Sequence, residues 1–175
     1  MDGKTRKFSG KIRPPPIVNI RRKPKRFDSP INAAFEEAED LLEGYNYTVF
    51  LFHYFSPGQQ PDLLGHLAGV LPTDGIEIGG SSEISVDEAV AEIEAALTHR
   101  GDSGYGPIPE KIESERYHDL AARAIKGCRD LLDLADRVEV FWLKNGHPAY
   151  PVFWDFAFAA YTEEGVHIIM GSSSD

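Results

Sequence analysis

Two stretches of the chain are apolar at both odd and even positions, and this restricts the folds open to it. The first is YTVFLFHYF, residues 47–55, and the second is YPVFWDFAFAAY, residues 150–161. Successive side chains of a strand point to opposite faces of a sheet, so a strand that is apolar at both parities must be covered on both faces. We therefore predict that both stretches are interior strands of a covered sheet.

Four amphipathic segments predict helices that surround these strands. They begin near residues 30, 62, 86 and 115. Ser29 is suited to cap the first helix, with Pro30 at its first position. Ser85 and Glu88 have the spacing of a capping box in front of the third helix.

The last third of the chain predicts an antiparallel meander. Asn145-Gly146 favours a tight hairpin between two strands, and residues 162–165 predict the turn into a third. A short strand, GIEIG, precedes the third helix, and the first two strands can be parallel through a right-handed crossover. The sequence thus predicts an α+β protein, in which a mixed sheet of about five strands with a C-terminal antiparallel meander is packed by about four helices.

The length of 175 residues indicates one domain with a substantial core. Residues 1–28 are predicted to form a basic, Pro-rich arm that is disordered or loosely docked, and residues 29–175 a single acidic globular domain. The chain has one cysteine, Cys128, and no apolar run of about 18 residues. We therefore expect a cytoplasmic protein with no internal disulfide and no membrane span.

Charge is distributed very unevenly along the chain. Residues 1–27 carry ten Lys and Arg against Asp2 alone, whereas residues 28–175 carry eight basic and 27 acidic side chains. An acidic body favours basic partners and repels nucleic acid, and a basic arm does the reverse. The candidate partner-binding residues of the arm are Arg21, Arg22, Lys23, Lys25 and Arg26.

The stretch GDSGYGP, residues 101–107, resembles the Gly-Asp-Ser-Gly-Gly-Pro box of the chymotrypsin-type serine proteases. In that family the box places a serine nucleophile, which would be Ser103 here. Tyr105 replaces the second glycine of the pair, and the predicted helices on both sides are incompatible with the double β-barrel of the family. We therefore expect a mobile connector between two helices.

Asp155 is the most suggestive candidate for chemistry, because it interrupts the apolar pattern FWDFAF. A carboxylate buried in a strand must be paired, hydrogen-bonded or shifted in pKa, and such groups collect at functional sites. His53 and His167 from neighbouring strands are the candidate partners for an acid–base pair. No pair of histidines has the spacing of metal ligands on one helix, so we predict no metal site and no cofactor.

These observations favour a non-enzymatic acidic binding protein that acts on a partner with a basic surface. An immunity-type or antitoxin-like inhibitor, or an accessory subunit, fits this description. Two alternatives stay open. One is a small hydrolase or transferase with an Asp/His site, and the other is a nucleic-acid tether through the basic arm.

Overall fold

A computed structural model of the protein describes residues 27–102 and 104–175. Most of the predicted arm, including Arg21, Arg22, Lys23, Lys25 and Arg26, lies outside the described residues, as does Ser103. The helices are α1 (Pro30–Leu42), α2 (Leu63–Val70), α3 (Val86–Leu97), α4 (Pro109–Ile112) and α5 (Glu115–Leu132). The strands are β1 (Gly44–Tyr45), β2 (Thr48–Pro57), β3 (Glu77–Glu83), β4 (Gly106–Pro107), β5 (Arg137–Asn145), β6 (Asp155–Thr162) and β7 (Gly165–Ser174).

Five strands form one sheet in the order β2-β7-β6-β5-β3, and β1 pairs with β4 in a separate ribbon. The α+β class and the C-terminal meander of β5, β6 and β7 are confirmed. Every neighbouring pair in the large sheet is antiparallel. The first two long strands, β2 and β3, run in the same direction but lie at opposite edges, so the parallel pairing considered for them is not formed.

The sheet is covered on both faces. Helices α1, α3 and α5 pack on one face, where Phe35, Leu120 and Phe158 are fully buried. Helix α2 covers the other face, where Leu67 and Met170 are fully buried. Strands β2, β6 and β7 supply residues to both cores, as the two-sided apolar patterns predict for β2 and β6. Among the described residues, no helix combines the length and the apolarity that crossing a bilayer requires.

Strand β2 lies at an edge of the sheet, so the prediction that it is an interior strand is wrong. Helix α1 takes the place of a neighbouring strand there. The Asn32 side chain accepts the His53 backbone N–H at 2.9 Å and donates to the His53 carbonyl at 2.7 Å. Glu39 Oε1 accepts the Leu51 N–H at 2.7 Å. Since these groups are satisfied by α1, the strand needs no second strand beside it.

Within the stretch GDSGYGP, Asp102 and Tyr105 pair as an isolated antiparallel bridge, which we call the hairpin and which the sequence does not predict. Asp102 and Tyr105 exchange both backbone hydrogen bonds, with N···O distances of 2.8 and 3.1 Å. Gly101 has φ +69°, and a Cβ there would lie 2.3 Å from the Tyr105 carbonyl oxygen. Glycine at position 101 therefore permits close backbone approach, while the mobile connector stays a prediction because Ser103 lies outside the described residues.

Candidate functional site

The two candidate histidines meet on the α1-facing side of the sheet. His53 lies on β2 and His167 on β7, and they are diagonal neighbours because His53 pairs with Ile169 and His167 with Phe55. His53 Nε2 is 2.9 Å from His167 Nδ1, and their ring centroids are 5.2 Å apart. The structure therefore joins the two histidines to each other, whereas the sequence suggested that one of them pairs with Asp155.

Ser29 extends the pair into a chain of three hydrogen-bonded side chains. Its Oγ lies 2.9 Å from His53 Nδ1 and also accepts the backbone N–H of Asn32 at 3.1 Å as the N-cap of α1. One tautomer satisfies every contact: the Ser29 hydroxyl donates to His53 Nδ1, and His53 Nε2–H donates to His167 Nδ1. The arrangement is a chain of hydrogen bonds that starts at the N-terminus of α1 and ends on the sheet.

Burial keeps both imidazoles neutral. Burial, together with the smaller effect of repulsion from His167, lowers the pKa of His53 from 6.5 to about 4. Burial also lowers the pKa of His167, against a smaller opposing effect of Glu164. His53 is 2% exposed, and the ring of Phe27 stands edge-on to it at 5.4 Å between centroids. The middle of the hydrogen-bonded chain is thus buried, while Ser29 and His167 are partly exposed.

Asp155 does not join His53 and His167; it acts instead on His147, where burial lowers the pKa and the charge of Asp155 is a smaller opposing effect. Strand β6 begins at Asp155, whose side chain is exposed, so the prediction of a long strand covering this carboxylate on both faces is wrong. The chain before it turns toward the end of β7, where the Val152 N–H donates to the Ser173 carbonyl at 2.8 Å. His167 pairs with Ala160, five residues further along β6, which separates the two by about 17 Å.

Asp155 instead belongs to a group of carboxylates that we call the acidic cluster, formed by Glu88 and Glu92 of α3 together with Asp155. Burial raises the pKa of Glu92, and the negative charges of Glu88 and Asp155 raise it further. A carboxyl group whose pKa is raised by like charges gains stability when a cation approaches. The cluster therefore has the electrostatics of a surface that accepts positive charge.

The basic side chains of the body already have partners within the chain. Seven of the eight form ion pairs: Arg100–Glu113, Arg116–Glu37, Arg123–Glu37, Lys126–Asp130, Arg129–Asp87, Arg137–Glu139 and Lys144–Glu77. The eighth, Lys111, donates to the carbonyls of Asp40 and Glu43 at the end of α1. Since eight cations face 27 carboxylates in residues 28–175, the surface of the body is strongly negative.

Aromatic residues surround the hairpin of Asp102 and Tyr105, at the end of the sheet remote from His53 and His167. The ring of Tyr105 lies 6.3 Å from that of Phe153, and Phe153 lies 5.6 Å from Tyr47. Trp154 Nε1 donates to the Tyr47 hydroxyl at 2.7 Å. Tyr105 is half exposed, whereas Tyr47 is buried in the core. The hairpin thus presents an aromatic surface anchored to the interior.

Two features of these sites escape sequence reasoning. Ser29 is recognisable as a helix cap, but nothing in its sequence context signals a contact with a histidine 24 residues away. The pairing of Tyr105 with Phe153 joins segments 48 residues apart and has no local pattern. No group of three or more His, Cys, Asp or Glu side chains that could hold a metal ion occurs within residues 27–102 and 104–175.

Comparison of the chain with models of protein families, with curated proteins and with solved structures finds no match.

Proposed function

We propose that the protein is a non-enzymatic binding protein whose acidic surface engages a partner with a basic surface. The observation that carries the proposal is the internal pairing of all eight basic side chains of residues 28–175, which leaves the excess of carboxylates to act outward. Complementary charge of this kind accelerates association and selects partners.

The acidic cluster offers the surface where a partner cation gains most. Glu92 is held close to Glu88 and Asp155, so a positive side chain placed among them relieves repulsion as well as adding attraction. An inhibitor or accessory subunit that docks here acts by covering the functional surface of its partner. The immunity-type and antitoxin-like roles are specific forms of this proposal.

Affinity capture from the native cell with the full chain tests the proposal. The informative variant is the triple substitution E88Q/E92Q/D155N, and its matched control is E110Q/E163Q/D175N, which removes the same charge from other exposed positions. We expect a specific basic protein to bind the wild type and the control but not E88Q/E92Q/D155N. Salt at about 0.5 M should release it from both the wild type and the control. Loss of the partner with the control as well, or binding that is insensitive to salt, would contradict the proposed surface.

A second candidate, a small hydrolase or transferase, is favoured by the Ser29–His53–His167 chain. In this function the Ser29 Oγ attacks an acyl carbonyl, His53 takes the hydroxyl proton, and the leaving alcohol departs with that proton. The enclosure of His53 and its low pKa weigh against a strong base, so this function ranks second.

A fluorophosphonate probe that reacts with activated serines tests the second candidate. We expect labelling that is lost in Ser29→Ala and kept in Ser114→Ala, because Ser114 also caps a helix and its loss changes only a cap. A wild-type chain that is not labelled, or labelling that persists in Ser29→Ala, rules the function out.

A nucleic-acid tether through the arm stays a prediction, since the basic cluster lies outside the described residues. Replacement of its five Lys and Arg by Gln in the full chain tests it. DNA or RNA binding that is unchanged by this replacement would exclude a tether of this kind.

A further inference from the structure

We propose that the face of the hairpin formed by Asp102 and Tyr105, backed by Phe153, binds an arginine side chain of the basic partner. This inference rests on the proposed binding function and names the residue chemistry that its surface selects. Two contacts join its three residues: the backbone pair of Asp102 and Tyr105, and the ring contact of Tyr105 with Phe153.

The hairpin places a carboxylate beside an aromatic ring. Asp102 and Tyr105 donate to each other's carbonyls at 2.8 and 3.1 Å, which makes them a directly opposed pair. Side chains of such a pair project from the same face of the ribbon, about 5 Å apart at Cβ. Both residues are exposed. The pair therefore offers an acceptor and a π-face to the same ligand group.

The aromatic part of this face is held in place before any ligand arrives. Tyr105 contacts Phe153, Phe153 contacts Tyr47, and Tyr47 stacks on His99 at 6.2 Å. The Tyr47 hydroxyl accepts the indole N–H of Trp154, and Tyr47 is 2% exposed. Because the rings form a continuous series of contacts into the core, little side-chain entropy is lost when a ligand binds on Tyr105.

The chemistry of the face fits a guanidinium better than an ammonium. A guanidinium is planar, donates two parallel N–H bonds to one carboxylate and stacks on an aromatic ring. An ammonium satisfies the carboxylate but gains less from the ring. Arg100, the nearest basic residue along the chain, is already paired with Glu113 at 3.1 Å, so the body does not supply the guanidinium from that position.

The hairpin face is also continuous along the chain with the acidic cluster. Phe153 lies two residues before Asp155, and α3, which carries Glu88 and Glu92, leads through Thr98 and His99 into the hairpin. The proposal therefore places the arginine on a segment of the same basic partner that binds the acidic cluster. Charge complementarity identifies the occupant as a protein segment that carries arginine.

Titration of the full chain with oligoarginine and oligolysine peptides of equal length, followed by fluorescence anisotropy at about 0.15 M salt, tests the inference. The variants are Tyr105→Ala and Asp102→Asn. The matched controls are Trp142→Ala, another exposed aromatic residue, and Glu163→Gln, another exposed carboxylate. We expect each hairpin variant to weaken binding of the arginine peptide about fivefold and binding of the lysine peptide less than about twofold. Both controls should bind either peptide within about twofold of the wild type.

The outcomes separate this inference from the proposed function. If Tyr105→Ala leaves binding of the arginine peptide unchanged, the hairpin site is wrong. If that binding still weakens with salt, an acidic binding surface remains supported. No binding of either peptide, even at about 0.05 M salt, contradicts both. If replacement of Arg21, Arg22 and Arg26 by Gln strengthens peptide binding only when Tyr105 is present, the arm of this chain occupies the face, and the assignment to a partner is wrong.

Discussion

His53 Nε2 lies 2.9 Å from His167 Nδ1, and the second nitrogen of His53 lies 2.9 Å from the Ser29 hydroxyl. The N-terminus of α1 is therefore tied to the sheet through imidazoles whose neutral forms are favoured by burial. A positive charge on His53 would remove its ability to accept from Ser29 and would repel a charged His167. The attachment of α1 thus depends on pH.

Acidification is expected to destabilise the protein through His53. Its pKa in the fold is about 4, below the ordinary 6.5, so the fold favours the neutral form. This contribution to stability is complete above pH 6.5 and falls as the pH drops toward 4, where the loss reaches about 3 kcal/mol. Urea unfolding between pH 7 and pH 4 measures it. In His53→Gln, the difference in unfolding free energy between the two pH values should shrink by that amount, and an unchanged difference would refute the prediction.

Asn32→Ala is expected to lower the free energy of unfolding by about 2–4 kcal/mol, because it leaves the buried N–H and C=O of His53 on β2 without their partner. Asn145→Ala is the control, since Asn145 makes one exposed contact, to the Gly75 carbonyl, and its loss should cost less than about 1 kcal/mol. Denaturant melts of both variants give the comparison. Equal losses would show that α1 does not protect the edge of the sheet.

Gly101→Ala should destabilise the protein by about 1–3 kcal/mol, because the new Cβ would lie 2.3 Å from the Tyr105 carbonyl oxygen at a positive φ. Gly69→Ala in α2 meets nothing within 4 Å and should stabilise by up to about 1 kcal/mol, since alanine favours helix. Thermal unfolding distinguishes the two. A Gly101→Ala variant with unchanged stability would mean that Asp102 and Tyr105 are not held in the described backbone pairing.

Phe158→Ala should cost about 3–5 kcal/mol, because the ring is fully buried between β6 and the helices and its removal leaves a cavity. Leu134→Ala, at a side chain that is 76% exposed, should change stability by less than about 0.5 kcal/mol. Chemical denaturation of both variants checks the position of the core. A small effect at Phe158 would contradict the packing of α1, α3 and α5 on that face.

The parts of the fold that are predictable from sequence are those with local signals. Ser85 and Glu88 form the expected capping box, and the apolar patterns of β2 and β6 correctly place residues in both cores. The order of strands depends instead on which edges find partners. The hydrogen bonds of Asn32 and Glu39 to β2 are made by side chains, so no strand periodicity reveals that this strand ends the sheet.

The candidate site was predictable only in part for the same reason. His53 and His167 stand out as polar residues in apolar strands, and the sheet brings them together. Asp155 also stands out, but an apolar pattern does not mark the residue at which a strand begins. The residues before Asp155 bond to Ser173 rather than continuing β6, and this leaves the carboxylate in solvent beside Glu92.

Helix α1 bonds the backbone of β2 and covers that edge of the sheet, and among the described strands this leaves the opposite edge to differ from it. The other end of the strand order is β3, in which Glu77, Ser81, Ser82 and Glu83 are exposed. A sheet with one uncovered edge can pair with only one further strand. Two copies that met through β3 would consume both available edges, so this mode of self-association would stop at a dimer instead of growing into a fibre.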